Sequence, residues 1–182
     1  MTGRKLTPEE LFAEGVGLEG HGDNLAAALV GGACLTWGSR IARLADRPPA
    51  IPLVLVPNTT VSTAVARDAL PAQVAHADAA FTASRATLLG AALASESAEL
   101  FGEALDDRIH EPHRAVHAPL LEDLRRQLPV GAIGATISGS GPTVVVWARD
   151  DAVASCVAEL AGRYPEIDVL HLPASPKGAY AL

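Results

Sequence analysis

Residues 131–148, GAIGATISGSGPTVVVWA, decide how this chain folds. Two apolar runs, around Ala132 to Ser138 and Thr143 to Ala148, flank the tight turn Gly139-Ser140-Gly141-Pro142, and such runs on either side of a glycine-proline turn read as paired strands. Downstream, Asp150 or Asp151 is placed to cap a helix whose inner face is Val153, Val157 and Leu160, and IDVLHL, residues 167–172, supplies a last strand. Upstream, Leu120, Leu121, Leu124 and Leu128 mark one apolar helical face, while DDRIHEPHRAVHAP, residues 106–119, reads as a polar connector or broken helix. Before it the sequence predicts a helix over Ala98 to Leu105 and a long Ala-rich helix from Ala72 to about Leu93, supported by the spacing of Val74, Phe81 and Leu88. Ser62 to Leu70 reads as a further helix closed by Pro71, and IPLVLVP, residues 51–57, as a short buried strand.

With the helices between the first and second strands treated as one elaborated crossover, the order is β-α-β-β-α-β. That order predicts an α+β fold of the ferredoxin-like, split βαβ kind. DRPPA, residues 46–50, is the best boundary, because paired prolines interrupt both helix and sheet. The expected domains are therefore 1–50 and 51–182. The first contributes a helix from Leu6 to Gly17, with Thr7 as cap and Pro8 in its first turn, then a glycine turn and a small-residue helix from Asp23 to about Val30. A Gly31-Gly32 stop follows, and then one strand. A lone strand must pair with something, so an exposed edge is expected here, one that homodimerisation would cover.

Composition narrows the function. Of 182 residues 49% are hydrophobic and 19% charged, which describes a packed globular chain and not a disordered or fibrous one. A net charge of −7 with only 4% aromatic residues argues against nucleic acid as the partner. Cys34 and Cys156 are far apart with no CxxC spacing, so both are expected as reduced core residues. The N-terminus places acidic residues where a signal peptide needs an apolar stretch. The charge-free stretches Asn24–Ser39 and Gln127–Ala148 are respectively too short and too interrupted to span a bilayer. The expected location is the cytoplasm, with no membrane partner.

Two segments could carry chemistry. Glu19-Gly20-His21-Gly22-Asp23-Asn24 gathers a carboxylate pair, an imidazole and an amide just before a helix, where they could converge on a small ligand; Asp23 as a plain helix cap explains the same pattern. The second segment carries Gly131, Gly134, Gly139 and Gly141 with Ser138 and Ser140, more glycine than a hairpin needs, which suggests backbone N–H groups approaching an oxyanion. No Gly-Lys-Ser or Gly-Lys-Thr follows, so it is not a Walker A loop, and its glycines sit between strands instead of opening a helix. Arg67 and Arg114 could each grip a carboxylate in a bidentate fork, with a solvent-facing role the alternative for either. His110, His113 and His117 have metal-like steps, but Pro112 breaks the register and no Cys joins them, so no metal site is expected. No Gly-x-Ser-x-Gly elbow is present for serine hydrolysis.

At these segments the chain resembles the homoserine kinases of the GHMP small-molecule kinase superfamily. LEGHGDNLAAALVGG, residues 18–32, is similar to the family's Glu-Gly-His-x-Asp-Asn substrate segment, and residues 131–148 to its C-terminal glycine loop. PNTTVSTAVARDALP, residues 57–71, and residues 106–119 resemble its Ser-Thr-x-x-Ala-Arg-x-x-Leu-Pro and Asp-Arg-x-His-x-Pro-x-Arg stretches. The resemblance implies transfer of the ATP γ-phosphate, with Mg2+, to the hydroxyl of L-homoserine on the way to threonine. By the same resemblance Asn24 contacts the reacting hydroxyl, Asp23 and His21 shape its pocket, and Glu19 supports the turn. Arg67 and Arg114 bind the substrate carboxylate, and Gly134, Ser138, Gly139, Ser140 and Gly141 form the phosphate-side loop. Residues 1–50 then correspond to a remnant of the family's ribosomal-protein-S5-like N-terminal domain. The family's Pro-x-x-x-Gly-Leu-Gly-Ser-Ser-Ala loop, which holds the ATP phosphates, has no counterpart here. The 182 residues alone are therefore expected to be weak or inactive as a kinase, with a missing N-terminal half as a partner. Two other readings stay open: an inactive amino-acid-binding or dimerisation module, and a GHMP kinase for another small alcohol.

Overall fold

The computed structural model describes residues 6–60, 66 and 68–179. They form two compact units, one built from the chain up to Pro48 together with the segment from Ala174, the other from Pro49–Pro173. In the smaller unit α1 (Pro8–Glu19) begins with a reciprocal cap: Thr7 Oγ1 accepts the Glu10 N–H at 3.2 Å and Glu10 Oε2 accepts the Thr7 N–H at 3.0 Å. Phe12 on this helix is fully buried, and α2 (Asp23–Val30) buries Ala26.

The run after Gly32 is not a lone strand. β1 (Ala33–Trp37) pairs antiparallel with β2 (Arg40–Ala45), with Leu35 opposite Ala42 and Trp37 opposite Arg40. Gly38-Ser39 is the two-residue connection that lets the chain reverse at once, and a local hairpin needs no second copy to satisfy its inner edge. Residues 174–179 return to this unit as a strap. The Gly32 N–H donates to the Ser175 carbonyl at 2.8 Å and the Ala179 N–H to the Ala28 carbonyl at 2.6 Å. Backbone crosses backbone so closely here that a Cβ at Gly31 would lie 2.5 Å from the Lys177 carbonyl carbon, and one at Gly178 would fall on the Leu29 carbonyl.

The larger unit starts with β3 (Ile51–Val56) and continues through α3 (His76–Ser95), α4 (Ala98–Glu103), α5 (Glu111–Arg114) with a 3-10 turn over Ala115–His117, and α6 (Pro119–Arg126). Then come β4 (Ala132–Ile137), β5 (Val144–Ala148), α7 (Val153–Arg163) and β6 (Asp168–His171). The strands form an antiparallel sheet in the order β4-β5-β3-β6, with β4 and β6 at its edges. Alternation along the strands sends Leu53, Leu55, Val144, Val146 and Ala135 into one core with Leu121 and Leu124 of α6 and Cys156 and Leu160 of α7. On the opposite face Phe101 of α4 meets Trp147 edge-on, ring centroids 5.0 Å apart, while Trp147 Nε1–H donates to Thr136 Oγ1 at 3.0 Å.

Three local expectations are corrected. Residues 72–75 precede α3, because they include no Ser, Thr, Asp or Asn to hold a helix start and Ala75 is extended at φ −63°, ψ 141°. Val74 is accordingly 40% exposed and not on the helix's inner face. α4 ends at Glu103 instead of Leu105. Neither Asp150 nor Asp151 caps α7: both lie in a 3-10 turn over Asp150–Ala152, Ala152 holds the cap position, and Asp151 faces Arg149 instead. Of the helix expected over Ser62 to Leu70, residues 62–65 and Arg67 lie outside the described residues; Ala66 is helical and buried. Among the described residues no helix is long and apolar enough to cross a membrane.

Candidate functional site

In the smaller unit the Glu-Gly-His segment forms the junction between α1 and α2. Glu19 ends α1 and is exposed. Asp23 is the first residue of α2, with Gly22 in the cap position, so the carboxylate is not the helix cap. It accepts the Asn24 N–H at 2.9 Å and lies 3.5 Å from His21 Nδ1, its side chain 74% exposed. His21, Asp23 and Asn24 thus gather at the start of one helix, with Asn24 exposed to solvent. An amide, an imidazole and a carboxylate so placed can donate to and accept from a small hydroxylated ligand.

In the larger unit the site is built from the connector and the glycine turn. Asp107 sets the connector. One carboxylate oxygen accepts the Ile109 N–H at 2.8 Å, and the other accepts His110 and Glu111 at 2.7 and 2.8 Å, so a single side chain satisfies three donors entering α5. Burial pushes its pKa up, but the Ile109, Glu111 and His110 amides, with the nearby His110, outweigh that and hold the carboxyl below its ordinary value. Thr82 Oγ1 of α3 donates to Asp107 at 3.3 Å and accepts the Arg108 N–H at 3.1 Å, tying the connector to the long helix.

α5 ends on Arg114, half-buried, whose Nη1 donates to the Gly139 carbonyl at 3.0 Å. Its Nε is buried with no hydrogen-bond partner. The glycine turn closes through Ser138 N–H to Thr143 O at 2.9 Å and Gly141 N–H to Ser138 O at 3.0 Å, which leaves the Gly139 and Ser140 N–H groups out of the turn's own bonds. Ser138 and Gly139 are exposed, and Ser140 is half-buried. Gly134 stands apart from them inside β4, where a Cβ would collide with Leu105. Arg114, Ser138, Gly139, Ser140 and Gly141 are thus brought together, a cation beside backbone donors suited to an anionic group. Arg67 lies outside the described residues.

Asp107 stands in the quoted connector, yet its capping role was not read from the sequence; an acidic residue four positions ahead of a Glu-Pro helix start is the signal that marks it. Among the described residues no three His, Cys, Asp or Glu side chains gather to hold a metal ion. Both cysteines are free, and burial raises both thiol pKa values.

Residues 89–166 match the family described as GHMP kinases C terminal. Within that class it resembles the C-terminal portion of homoserine kinases. It is 39% identical over 177 residues to the homoserine kinase of Thermus thermophilus, covering 91% of this chain and 58% of the relative. To that of Streptomyces avermitilis it is 42% identical over 162 residues, 87% of this chain and 52% of the relative. The crystal structure of homoserine kinase from Cytophaga hutchinsonii superposes with a TM-score of 0.81 at 27% identity, over 95% of this chain and 60% of that one. The chain therefore spans somewhat more than half the length of these relatives.

Proposed function

We propose that this chain is the substrate-binding portion of a homoserine kinase, serving transfer of the ATP γ-phosphate to the side-chain hydroxyl of L-homoserine in the cytoplasmic synthesis of threonine. The observation that carries this reading is the bond from Arg114 to the Gly139 carbonyl. It joins the connector and the glycine loop, two of the four segments on which the resemblance rests, into one anion-binding corner. Arg114, with Arg67, takes the substrate carboxylate. Asn24 orients the reacting hydroxyl, with His21 and Asp23 beside it and Glu19 supporting the turn. The loop around Gly139, Ser140 and Gly141 offers backbone donors toward the transferring phosphate, with Ser138 at its edge, while Gly134 within β4 leaves room for Leu105.

The resemblance implies Mg2+ together with ATP. The ion would neutralise charge on the transferred group. The chain's own residues then act by alignment and by fixed dipoles, not by a reactive side chain. Residues 51–182 are read as the ferredoxin-like domain and 1–50 as a remnant of the ribosomal-protein-S5-like domain.

Calorimetric titration of L-homoserine into the 182-residue chain tests the reading. Binding is expected, and Arg114→Ala is expected to weaken it by about tenfold or more, the loss of a charge-assisted contact. Joining the chain to an upstream segment with a phosphate loop should confer ATP-dependent phosphorylation of homoserine. If the longer protein neither binds ATP nor phosphorylates homoserine, the kinase assignment is wrong. Homoserine binding that persists without any turnover in the longer protein would mark an amino-acid-binding module.

A further inference from the structure

Glu111 opens α5, and its side chain is only 12% exposed. Its two oxygens are divided between two partners. Oε1 accepts the Ile137 N–H at 3.0 Å, and Oε2 takes Arg125 Nη2 at 2.6 Å. Arg125 in turn donates Nε–H to the Ala135 carbonyl at 3.1 Å. β4 is an edge strand, so these backbone groups meet side chains where an inner strand would meet a neighbour. The ion pair covers that edge.

Covering an edge does not require the carboxylate to come from α5. Ile137 leads directly into Ser138 and the glycine turn, and Arg114 follows Glu111 by three residues on the same short helix. α5 and the strand-to-turn junction are therefore tied at two points, Glu111 to Ile137 and Arg114 to Gly139. A four-residue helix has little rigidity of its own, so the direction of Arg114 depends on what anchors the helix. Asp107 fixes its start, and Glu111 fixes its distance from the loop.

We propose that Glu111 is a positioning residue that holds the Arg114 guanidinium and the glycine turn in register for an anionic group. This rests on the reading that Arg114 and the turn meet the substrate. The test is amide hydrogen exchange by NMR on the whole chain, for wild type, Glu111→Ala and Glu111→Gln, followed by homoserine titration of each. In Glu111→Ala, exchange at Ile137, Ser138 and Gly141 should rise at least about tenfold while Val146, in the sheet interior, keeps its wild-type rate. Glu111→Gln retains an acceptor for Ile137 and should restore most of that protection. Homoserine affinity should fall about tenfold in the alanine variant and recover in the glutamine one.

If the alanine variant does not fold, Glu111→Asp decides: it keeps the charge but is too short to reach both Ile137 and Arg125, and the same loop-specific loss is expected. Wild-type protection at Ser138 and Gly141 in the folded variant would overturn the proposal and leave Glu111 as an edge cover. A wild-type chain that takes up no homoserine would sink the functional reading instead, while the exchange rates would still decide the role of Glu111.

Discussion

The two units of this molecule are built to different standards. The larger has a four-stranded sheet with helices α6 and α7 closing one core of Leu, Val and Ala side chains. Among the described residues Phe12 and Ala26 are the only hydrophobic side chains the smaller unit buries, and it leaves Leu18 at 91%, Leu35 at 50% and Trp37 at 48% exposure. Buried apolar area is the main favourable term in folding, so the larger unit holds most of the stability. The smaller one relies on directional devices: a capping box, a hairpin and a backbone strap. Candidate chemistry is present in both, on a stable frame at the glycine turn and on a lightly packed one at Asp23 and Asn24.

The sharpest way to break this contrast is a pair of core truncations. Phe12→Ala should cost about 3–5 kcal/mol and Leu124→Ala about 2–5 kcal/mol. The first is expected to melt the smaller unit alone, since little else is buried there, with loss of exchange protection in α1 and α2 and an unchanged Val146. The second should lower the main denaturation transition and leave the sheet folded. If Phe12→Ala lowers both equally, the units unfold as one and the contrast fails. A smaller effect is expected from Thr7→Ala, which removes half of the capping box: about 1 kcal/mol, confined to the smaller unit and read from helix fraying near α1.

The gentlest probe is acid. Asp107 has a folded-state pKa below its ordinary 3.8, so its contribution is complete above that value and is lost as pH falls through the lower, folded one. Acidification below about pH 4 should loosen the connector, seen as faster exchange at Ile109, His110 and Glu111, and Asp107→Asn should abolish that pH dependence. Exchange at these amides that shows no change over this range would contradict the assigned bonds.

Much of the larger unit was legible because its signals are local. Glycine and proline between two valine- and isoleucine-rich runs specify β4 and β5, and the spacing of Leu121 and Leu124 gives the buried stripe of α6. β2 was missed because Arg40 and Arg43 interrupt its apolar alternation; Arg43 turns out to meet Asp46 at 2.5 Å. Val74 misled in the other direction, since its spacing fits a helix that has no residue to start it there. At the site, the residue types were readable but their partners were not. The bond from Arg114 to Gly139 spans 25 positions and Glu111 to Ile137 spans 26, and no local pattern encodes either distance. The return of residues 174–179 to the first unit leaves no mark in composition beyond a glycine at 178.

That returning strap has a consequence for the order in which the protein is made. A chain leaves the ribosome N-terminus first, and domains ordinarily close in that order. Of these two units, the one that emerges earlier is finished later, because Gly32 and Ala28 wait for Ser175 and Ala179. The sheet unit between them can be assembled while α2 still lacks its strap. A tag fused after residue 182 would therefore burden the helix that begins at Asp23, far away in sequence, and spare the strands that immediately precede it.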